Sequence, residues 1–174
     1  MADVPQELTL RRNRDLEGMR DLITRRAGII ALGIVLALAL GNAFGQRPGS
    51  STAAAAAAEL ELYAPARLRS GLFFEARFTI EAIRELREAT LVLDSGWAEG
   101  MTINTIEPSP VGEASRDGRL VLELGRVRAG DAHVLFLQLQ VNPTNVGRRS
   151  QDVRLFDGET TELVHLERTI TVWP

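Results

Sequence analysis

An uncharged apolar run near the N-terminus constrains the fold of this chain more than any other feature. The eighteen residues from Ala27 to Phe44 read AGIIALGIVLALALGNAF, and Asn42 is their only strongly polar member. As a helix, this run extends about 27 Å, close to the roughly 30 Å hydrocarbon core of a bilayer. A soluble helix of this length normally has a polar face, and this run has none. The sequence therefore predicts a transmembrane helix in contact with the lipid bilayer at residues 27–45.

The placement of arginine predicts the orientation of that helix. Six arginines and five acidic residues precede the apolar run. Only Arg47 lies within about 20 residues after it, and the positive-inside rule keeps the arginine-rich flank in the cytoplasm. Residues 1–26 are therefore predicted to form a cytoplasmic tail, and the C-terminal part to lie outside the cell membrane. Ala43 and Gly45 also fit a signal-peptidase site, but the long leader and long apolar run favour an uncleaved anchor.

The segment after the apolar run is predicted to be a linker. Residues 46–58 read QRPGSSTAAAAAA. Pro48-Gly49 is expected to end the membrane helix, and the segment to act as a spacer before the outer domain. Two alternatives for the alanines remain open: a short helix over Ala53–Ala58, capped by residues 50–52, and packing against a neighbouring helix.

From Glu59 onward, apolar and polar residues alternate. Apolar side chains recur at every second position in the segments Phe74–Ile80, Leu120–Leu124 and Leu135–Val141. This period of two is typical of strands, and turn signals separate the segments. Residues 59–174 are therefore predicted to form an all-β extracytoplasmic domain, an Ig-like antiparallel β-sandwich of 7–8 strands. A helical turn at Ile83–Glu88 is an alternative for that short stretch.

Composition excludes several classes of function. The chain contains no cysteine and no lysine, which excludes disulfides, cysteine-ligated zinc and a lysine Schiff base. The net charge is −3 and the pI is about 5.5, so the chain lacks the basic footprint of a nucleic-acid-binding protein. No nucleic-acid partner is expected.

Four segments of the outer domain resemble a known group of sequences. They are GWAEGMTINTIEPSP (Gly96–Pro110), SRDGRLVLELG (Ser115–Gly125), VNPTNVGRRSQDV (Val141–Val153) and RTITVWP (Arg168–Pro174). The stretch from Phe73 to the C-terminus resembles an uncharacterised actinobacterial family of membrane-anchored proteins. The spacing from Gly125 to Gly147 is also similar to extracellular Ig-like repeat modules. The resemblance implies a sandwich fold and a cell-envelope location, and it supplies no catalytic or binding residues.

The sequence offers no constellation for catalysis. His133 and His165 are the only histidines, and nothing in their spacing brings them to one surface with a carboxylate. Asp94-Ser95-Gly96 reads as a turn, because the nucleophile-elbow motif G-x-S-x-G is absent. We therefore predict no catalytic, metal or cofactor site, and no enzymatic activity.

Two segments are candidates for contact with a partner. In Asp94–Pro110, the candidate contact residues are Trp97, Met101, Ile103 and Asn104, because exposed aromatic and Met side chains beside small polar groups are typical of interfaces. Alternation would place Met101, Ile103 and Thr105 on one face. The alternative is that Trp97 closes the sandwich and that Ile103 and Ile106 belong to the core.

The second candidate segment is Asn142–Arg149. Its candidate contact residues are Asn142, Arg148 and Arg149, where two adjacent arginines could pair with carboxylates or anionic headgroups. The alternative is a solvated loop.

These observations favour an interaction or scaffold protein over an enzyme. The sandwich would lie near the outer face of the membrane and dock on another envelope protein, expected to be a polytopic membrane protein. The alternative is a sandwich that binds a glycan or a lipid headgroup, which would require a concave pocket with convergent polar groups.

Overall fold

The computed structural model describes residues 19–43 and 45–174. The described residues divide after Ala43 into two units. In the first unit the helix α1 spans Met19–Leu40, a length of about 33 Å at 1.5 Å per residue. Its segment Asp21–Leu40 is long and apolar enough to cross a membrane or to act as a signal sequence. The prediction of an N-terminal apolar helix is confirmed.

The boundaries of α1 differ from the predicted 27–45. The helix begins before Arg25 and Arg26, and it ends at Leu40 rather than at Pro48-Gly49. After Leu40, Asn42 adopts a left-handed conformation with φ 54°, and the Ala43 amide donates to the Leu38 carbonyl. This is the usual cap at the C-terminus of a helix, so the polar Asn42 ends α1 inside the apolar run. Residues 1–18 of the predicted tail, and Phe44, lie outside the described residues.

The second unit is all-β, as predicted. Its described strands are β1 (Pro48–Ala54), β2 (Ala58–Pro65), β3 (Arg67–Arg69), β4 (Phe73–Ala82), β5 (Leu86–Leu93), β6 (Met101–Glu107), β7 (Gly112–Arg116), β8 (Arg119–Val127), β9 (Ala132–Val141), β10 (Gly147–Ser150), β11 (Val153–Asp157), β12 (Thr161–Leu166) and β13 (Thr169–Trp173). The β-sandwich preceded by one apolar helix is confirmed. The number of strands exceeds the predicted 7–8, chiefly because short edge strands lack a long apolar alternation.

Three sheets enclose the core. Sheet A has the strand order β1-β2-β4-β9-β6, and sheet C has the order β12-β11-β5-β8-β7. The small sheet B, in the order β10-β13-β3, contains a parallel pair between β13 and β3. Buried side chains from all three sheets form a single apolar cluster. Each of sheets A and C therefore has one face in the core and one outer face.

The alternation in β4 and β9 explains how sheet A divides its side chains. Phe78 of β4 lies opposite Leu135 of β9, and both are fully buried. Their neighbours Arg77 and Phe136 also lie opposite each other, but they point to the outer face. Because side chains alternate along a strand, burying one set commits the other set to solvent.

The predicted linker is largely a strand. From Pro48 to Ala54, β1 pairs antiparallel with β2 along its whole length, from Pro48 opposite Pro65 to Ala54 opposite Glu59. The alternative of a helix over the alanines is therefore wrong. The edge of β2 offers the backbone hydrogen-bond partners, and this tertiary pairing outweighs the helical preference of alanine.

A second local prediction also fails. The alternative of a helical turn at Ile83–Glu88 is wrong, because the chain only bends after Ala82 and β5 begins at Leu86. Leu86 is buried in the core, and its burial favours the extended conformation of β5 from Leu86 onward.

His133 gives the sandwich a pH dependence that can be measured. The side chain is half-buried on β9, and burial lowers the pKa of His133 below its ordinary 6.5. Below pH 6.5 the unfolded chain therefore takes up a proton that the folded chain resists. We expect the free energy of unfolding to fall as the pH drops from 7 to 5, and His133→Leu to flatten this slope. An equal slope in both proteins, measured by urea denaturation at each pH, would contradict this assignment.

Candidate functional site

The structure brings the two predicted contact segments together at one end of the sandwich. The Asn142 amide and the Asn145 side chain both donate to the Gly100 carbonyl, at 3.0 and 2.9 Å. Thr102 Oγ1 also donates to Asn142 Oδ1 at 3.3 Å. Asn145 is buried, so these bonds fix the loop after β9 against the turn before β6.

Two of the predicted contact residues are buried at this end of the sandwich. Trp97 is fully buried and Met101 is 7% exposed, so their prediction as exposed contact residues is wrong. Trp97 belongs to the 3-10 turn Ser95–Trp97, and its Nε1 donates to the Gln151 carbonyl at 3.0 Å. Its ring lies 5.3 Å from that of Phe78, between centroids. The alternative interpretation, that Trp97 closes the sandwich, is confirmed.

A β-bulge explains the positions of the other candidates on β6. Ile103 lies opposite Leu139 and Thr105 lies opposite Gln138, so Asn104 is an extra residue without an opposite partner. Ile103 is partly buried against the core, and Ile106 packs there too, whereas Asn104 is exposed. Because the bulge shifts the alternation, Thr105 does not share the face of Ile103 as predicted.

The two arginines of the second segment have different surroundings. Arg148 is exposed on β10. Arg149 is partly buried, and its Nε donates to Asn145 Oδ1 at 2.7 Å while its Nη1 lies 3.4 Å from Glu99 Oε1. Arg149 is therefore already paired within the domain.

A buried polar network underlies the same end. Arg168 is 8% exposed, and its guanidinium donates to Gln151 Oε1 at 2.8 Å and to the Ala64 carbonyl at 2.9 Å. It also lies 5.8 Å from the centre of the Trp97 ring, within cation–π range. Burial lowers the pKa of Arg168 to about 10, so the side chain stays cationic at neutral pH. The network joins four parts of the chain, at Ala64, Trp97, Gln151 and Arg168, and it stabilises the fold.

The histidines do not form a catalytic arrangement within the described part of the chain. His165 Nε2 lies 3.5 Å from Asp152 Oδ2, and neither histidine has a hydrogen-bonded serine there. A search of the same residues finds no group of three His, Asp or Glu side chains placed to hold a metal ion. Among these residues, neither histidine is hydrogen-bonded to a serine that it could activate as a nucleophile.

The most distinctive exposed surface lies elsewhere, on the outer face of sheet A. One row of opposing residues crosses all five strands in the order Ser50, Tyr63, Arg77, Phe136 and Glu107. Tyr63 is 38% exposed and Phe136 is 36% exposed. Two aromatic rings thus lie on the outer face of a five-stranded sheet, separated by the strand that carries Arg77.

Two shallow cavities lie side by side on this face. Their volumes are about 380 and 400 Å³, and both are lined by Glu75 and Gln138. Phe73, which is 63% exposed, forms part of the first, and Phe136 forms part of the second. Each cavity therefore combines an aromatic ring with a carboxylate and an amide.

The outer face of sheet A is acidic. Its strands direct five glutamates outward: Glu59, Glu61, Glu75, Glu81 and Glu107. Arg77 is the one outward arginine on these strands, and its Cζ lies 5.2 Å from the centre of the Tyr63 ring. None of the ion pairs recorded among the described residues includes any of these five glutamates. The outward residues of these strands therefore carry a net negative charge around the exposed aromatic rings.

A third cavity, on the outer face of sheet C, has a different character. Its volume is about 180 Å³, and Phe156 forms part of its lining. Its arginines are already paired: Arg116 lies 3.5 Å from Glu159, and Arg119 lies 3.3 Å from Asp94. Its smaller volume and its paired arginines make this cavity a weaker candidate than the face of sheet A.

Sequence reasoning missed the outer face of sheet A, although a signal was present. Along β9, buried leucines such as Leu135 and Leu137 alternate with outward positions that are otherwise mostly polar. Phe136 occupies one of these outward positions. A large apolar side chain out of phase with a core stripe must point to the opposite face. Phe73 is out of phase with Phe74 in the same way.

Comparison of the chain with protein-family models and with curated proteins finds no match.

Proposed function

We propose that this chain is a membrane-anchored interaction protein that docks on another envelope protein through the outer face of sheet A. The exposed aromatic row of Tyr63 and Phe136, extended by Phe73, carries the proposal. Aromatic side chains are enriched among the residues that dominate the binding energy of protein interfaces, because they bury large areas and have few rotatable bonds. A rigid sheet also presents them without the ordering cost of a loop.

In this proposal, α1 holds the sandwich at the outer face of the cell membrane. The arginines before the apolar segment favour a cytoplasmic N-terminus. A single apolar helix also suits an accessory role, in which the anchor keeps the sandwich close to a polytopic membrane partner. The resemblance to membrane-anchored actinobacterial proteins agrees with an envelope location.

The absence of cysteine makes the orientation directly testable. We expect a membrane-impermeant maleimide, added to intact cells, to label Thr161→Cys at an exposed position of β12. The same reagent should label Ala2→Cys only after the cells are permeabilised. The reverse labelling pattern would contradict the orientation. Release of labelled Thr161→Cys protein from the membrane would show that the anchor is cleaved.

Docking is tested by co-purification from native membranes in a mild detergent. We expect a stoichiometric partner with the full-length protein and at least a tenfold loss of that partner in Tyr63→Ser/Phe136→Ser, because hot-spot aromatics each contribute about 1–2 kcal/mol or more. The matched control is Val111→Ser, which removes a 78% exposed apolar side chain between β6 and β7. Equal partner recovery from all three proteins would refute docking through this face.

A second candidate function is the binding of a neutral glycan. The two adjacent cavities of about 380 and 400 Å³ favour it, since their size suits small ligands and each offers an aromatic wall beside polar groups. The outward glutamates disfavour anionic lipid headgroups at the same place. A neutral oligosaccharide that binds in the absence of a protein partner, and loses binding in Phe136→Ser, would favour this second candidate.

A further inference from the structure

We propose that the docking partner is cationic and inserts an arginine side chain into the cavity between Glu75, Glu107 and Phe136. This inference rests on the proposed docking function and specifies the chemistry of the partner. It concerns the larger of the two cavities on sheet A, with a volume of about 400 Å³.

The order of the strands places carboxylates on both sides of the aromatic ring. Phe136 lies on β9, and Glu107 lies directly opposite it on β6. On β4, the other neighbour of β9, Arg77 lies opposite Phe136, and Glu75 lies two residues away, opposite Gln138. Two strand spacings and this two-residue offset separate the backbone positions of Glu75 and Glu107 by about 12 Å. A guanidinium has donors on more than one edge, so a single arginine over Phe136 can reach carboxylates on both sides.

The charge of the face selects a cation. Neither Glu75 nor Glu107 has an ion-pair partner among the described residues, and the remaining outward glutamates of the sheet add to the same field. Arg77 is the only outward arginine on these strands. A cationic partner therefore gains attraction at long range and charge-assisted hydrogen bonds on contact.

The same face already contains one contact of this kind. Arg77 lies over the ring of Tyr63, on β2, at 5.2 Å. Phe136 is the opposite neighbour of Arg77 in register, and no described arginine is recorded over its ring. An arginine of the partner would repeat at Phe136 the cation–π contact that Arg77 makes with Tyr63, with carboxylates added on either side.

Two polar side chains in the cavity lining are hydrogen-bonded to each other. Thr105 Oγ1 donates to Gln138 Oε1 at 3.0 Å, which joins the side chains of β6 and β9. Because Gln138 is held by this bond, less side-chain entropy is lost on binding.

The test uses the full-length protein in nanodiscs of neutral phosphatidylcholine. The probes are the peptide acetyl-Ala-Arg-Ala-amide and its counterpart with citrulline, an uncharged side chain of nearly the same shape. We expect the arginine peptide to bind at least about tenfold more tightly than the citrulline peptide, by NMR chemical-shift titration. We also expect Glu75→Gln/Glu107→Gln to weaken arginine binding by a similar factor.

A matched variant distinguishes the effect of the two carboxylates in the cavity from that of the overall negative charge of the sheet. Glu59→Gln/Glu81→Gln makes the same change in net charge on the same face but leaves the cavity lining intact. We expect this variant to retain binding within about threefold, since exposed charges at a distance are screened. Equal weakening by both double variants, or equal binding of both peptides, would overturn the arginine site.

Co-purification from native membranes then distinguishes failure of this inference from failure of docking itself. Loss of the partner in both Tyr63→Ser/Phe136→Ser and Glu75→Gln/Glu107→Gln supports docking through an arginine. Loss in the aromatic variant alone preserves docking and refutes the arginine site. Retention in both variants refutes both proposals.

Discussion

Trp97→Ala is expected to lower the free energy of unfolding of the sandwich by about 3–5 kcal/mol, the range for large aromatic side chains removed from a core. Trp97 is fully buried, and its ring packs at 5.3 Å from Phe78. Alanine would leave a cavity at the end of the sandwich and deprive the Gln151 carbonyl of the donor at 3.0 Å. It would also remove the ring beside the buried charge of Arg168. Urea denaturation followed by circular dichroism measures the change.

Trp97→Phe is the matched control for the packing part of this effect. Phenylalanine retains an aromatic ring but cannot donate to the Gln151 carbonyl. The expected loss is smaller, about 1–3 kcal/mol, because a buried acceptor is left unsatisfied and the cavity is small. A Trp97→Ala protein within 1 kcal/mol of the wild type would show that this end of the sandwich does not close around the indole.

Gly96→Ala is expected to cost about 3 kcal/mol or more, although it adds only one methyl group. A Cβ atom at this position would lie 1.8 Å from the Ser150 carbonyl oxygen, a distance that real contacts do not reach. That oxygen belongs to the backbone of β10, so either the 3-10 turn or the strand must move. The shift would also displace the neighbouring Trp97 from its pocket.

Gly49→Ala is the control for the glycine effect on the unfolded chain. Gly49 lies on the edge strand β1, and a Cβ atom there would meet no heavy atom within 4 Å. Its expected effect is within about 0.5 kcal/mol of zero, as for most surface substitutions. Similar stability of the Gly96→Ala and Gly49→Ala proteins in the same denaturation assay would contradict the close approach of the turn to β10.

The sequence predicted the fold class because its longest patterns reflect burial directly. The stripe of β9, in which Leu135, Leu137, Leu139 and Val141 are fully buried, required a strand with one face in a core. The apolar helix was equally evident, since no charge interrupts Ala27–Phe44. In both cases the physical determinant is local in the chain and spans several residues.

The predictions that failed concern residues whose conformation or burial depends on contacts distant in the sequence. The small side chains of β1 form no alternation, and its conformation comes from pairing with β2, a distant constraint. Trp97 looked like an exposed contact residue because the sequence does not show that Gln151 and Arg168 surround it. The acidic aromatic face was missed for the same reason, since only the register of four strands brings Tyr63 and Glu107 into one row.

Site-specific photocrosslinking in native membranes is the most direct test of docking through the outer face of sheet A. With benzoylphenylalanine in place of Phe136, we expect a covalent adduct with one discrete membrane protein. The same substitution at Phe156, an aromatic residue beside the smaller cavity of sheet C, should give no such adduct. Benzoylphenylalanine is also placed at Tyr63. No adduct from either position 63 or position 136, or the same adducts from positions 136 and 156, would contradict docking through the outer face of sheet A.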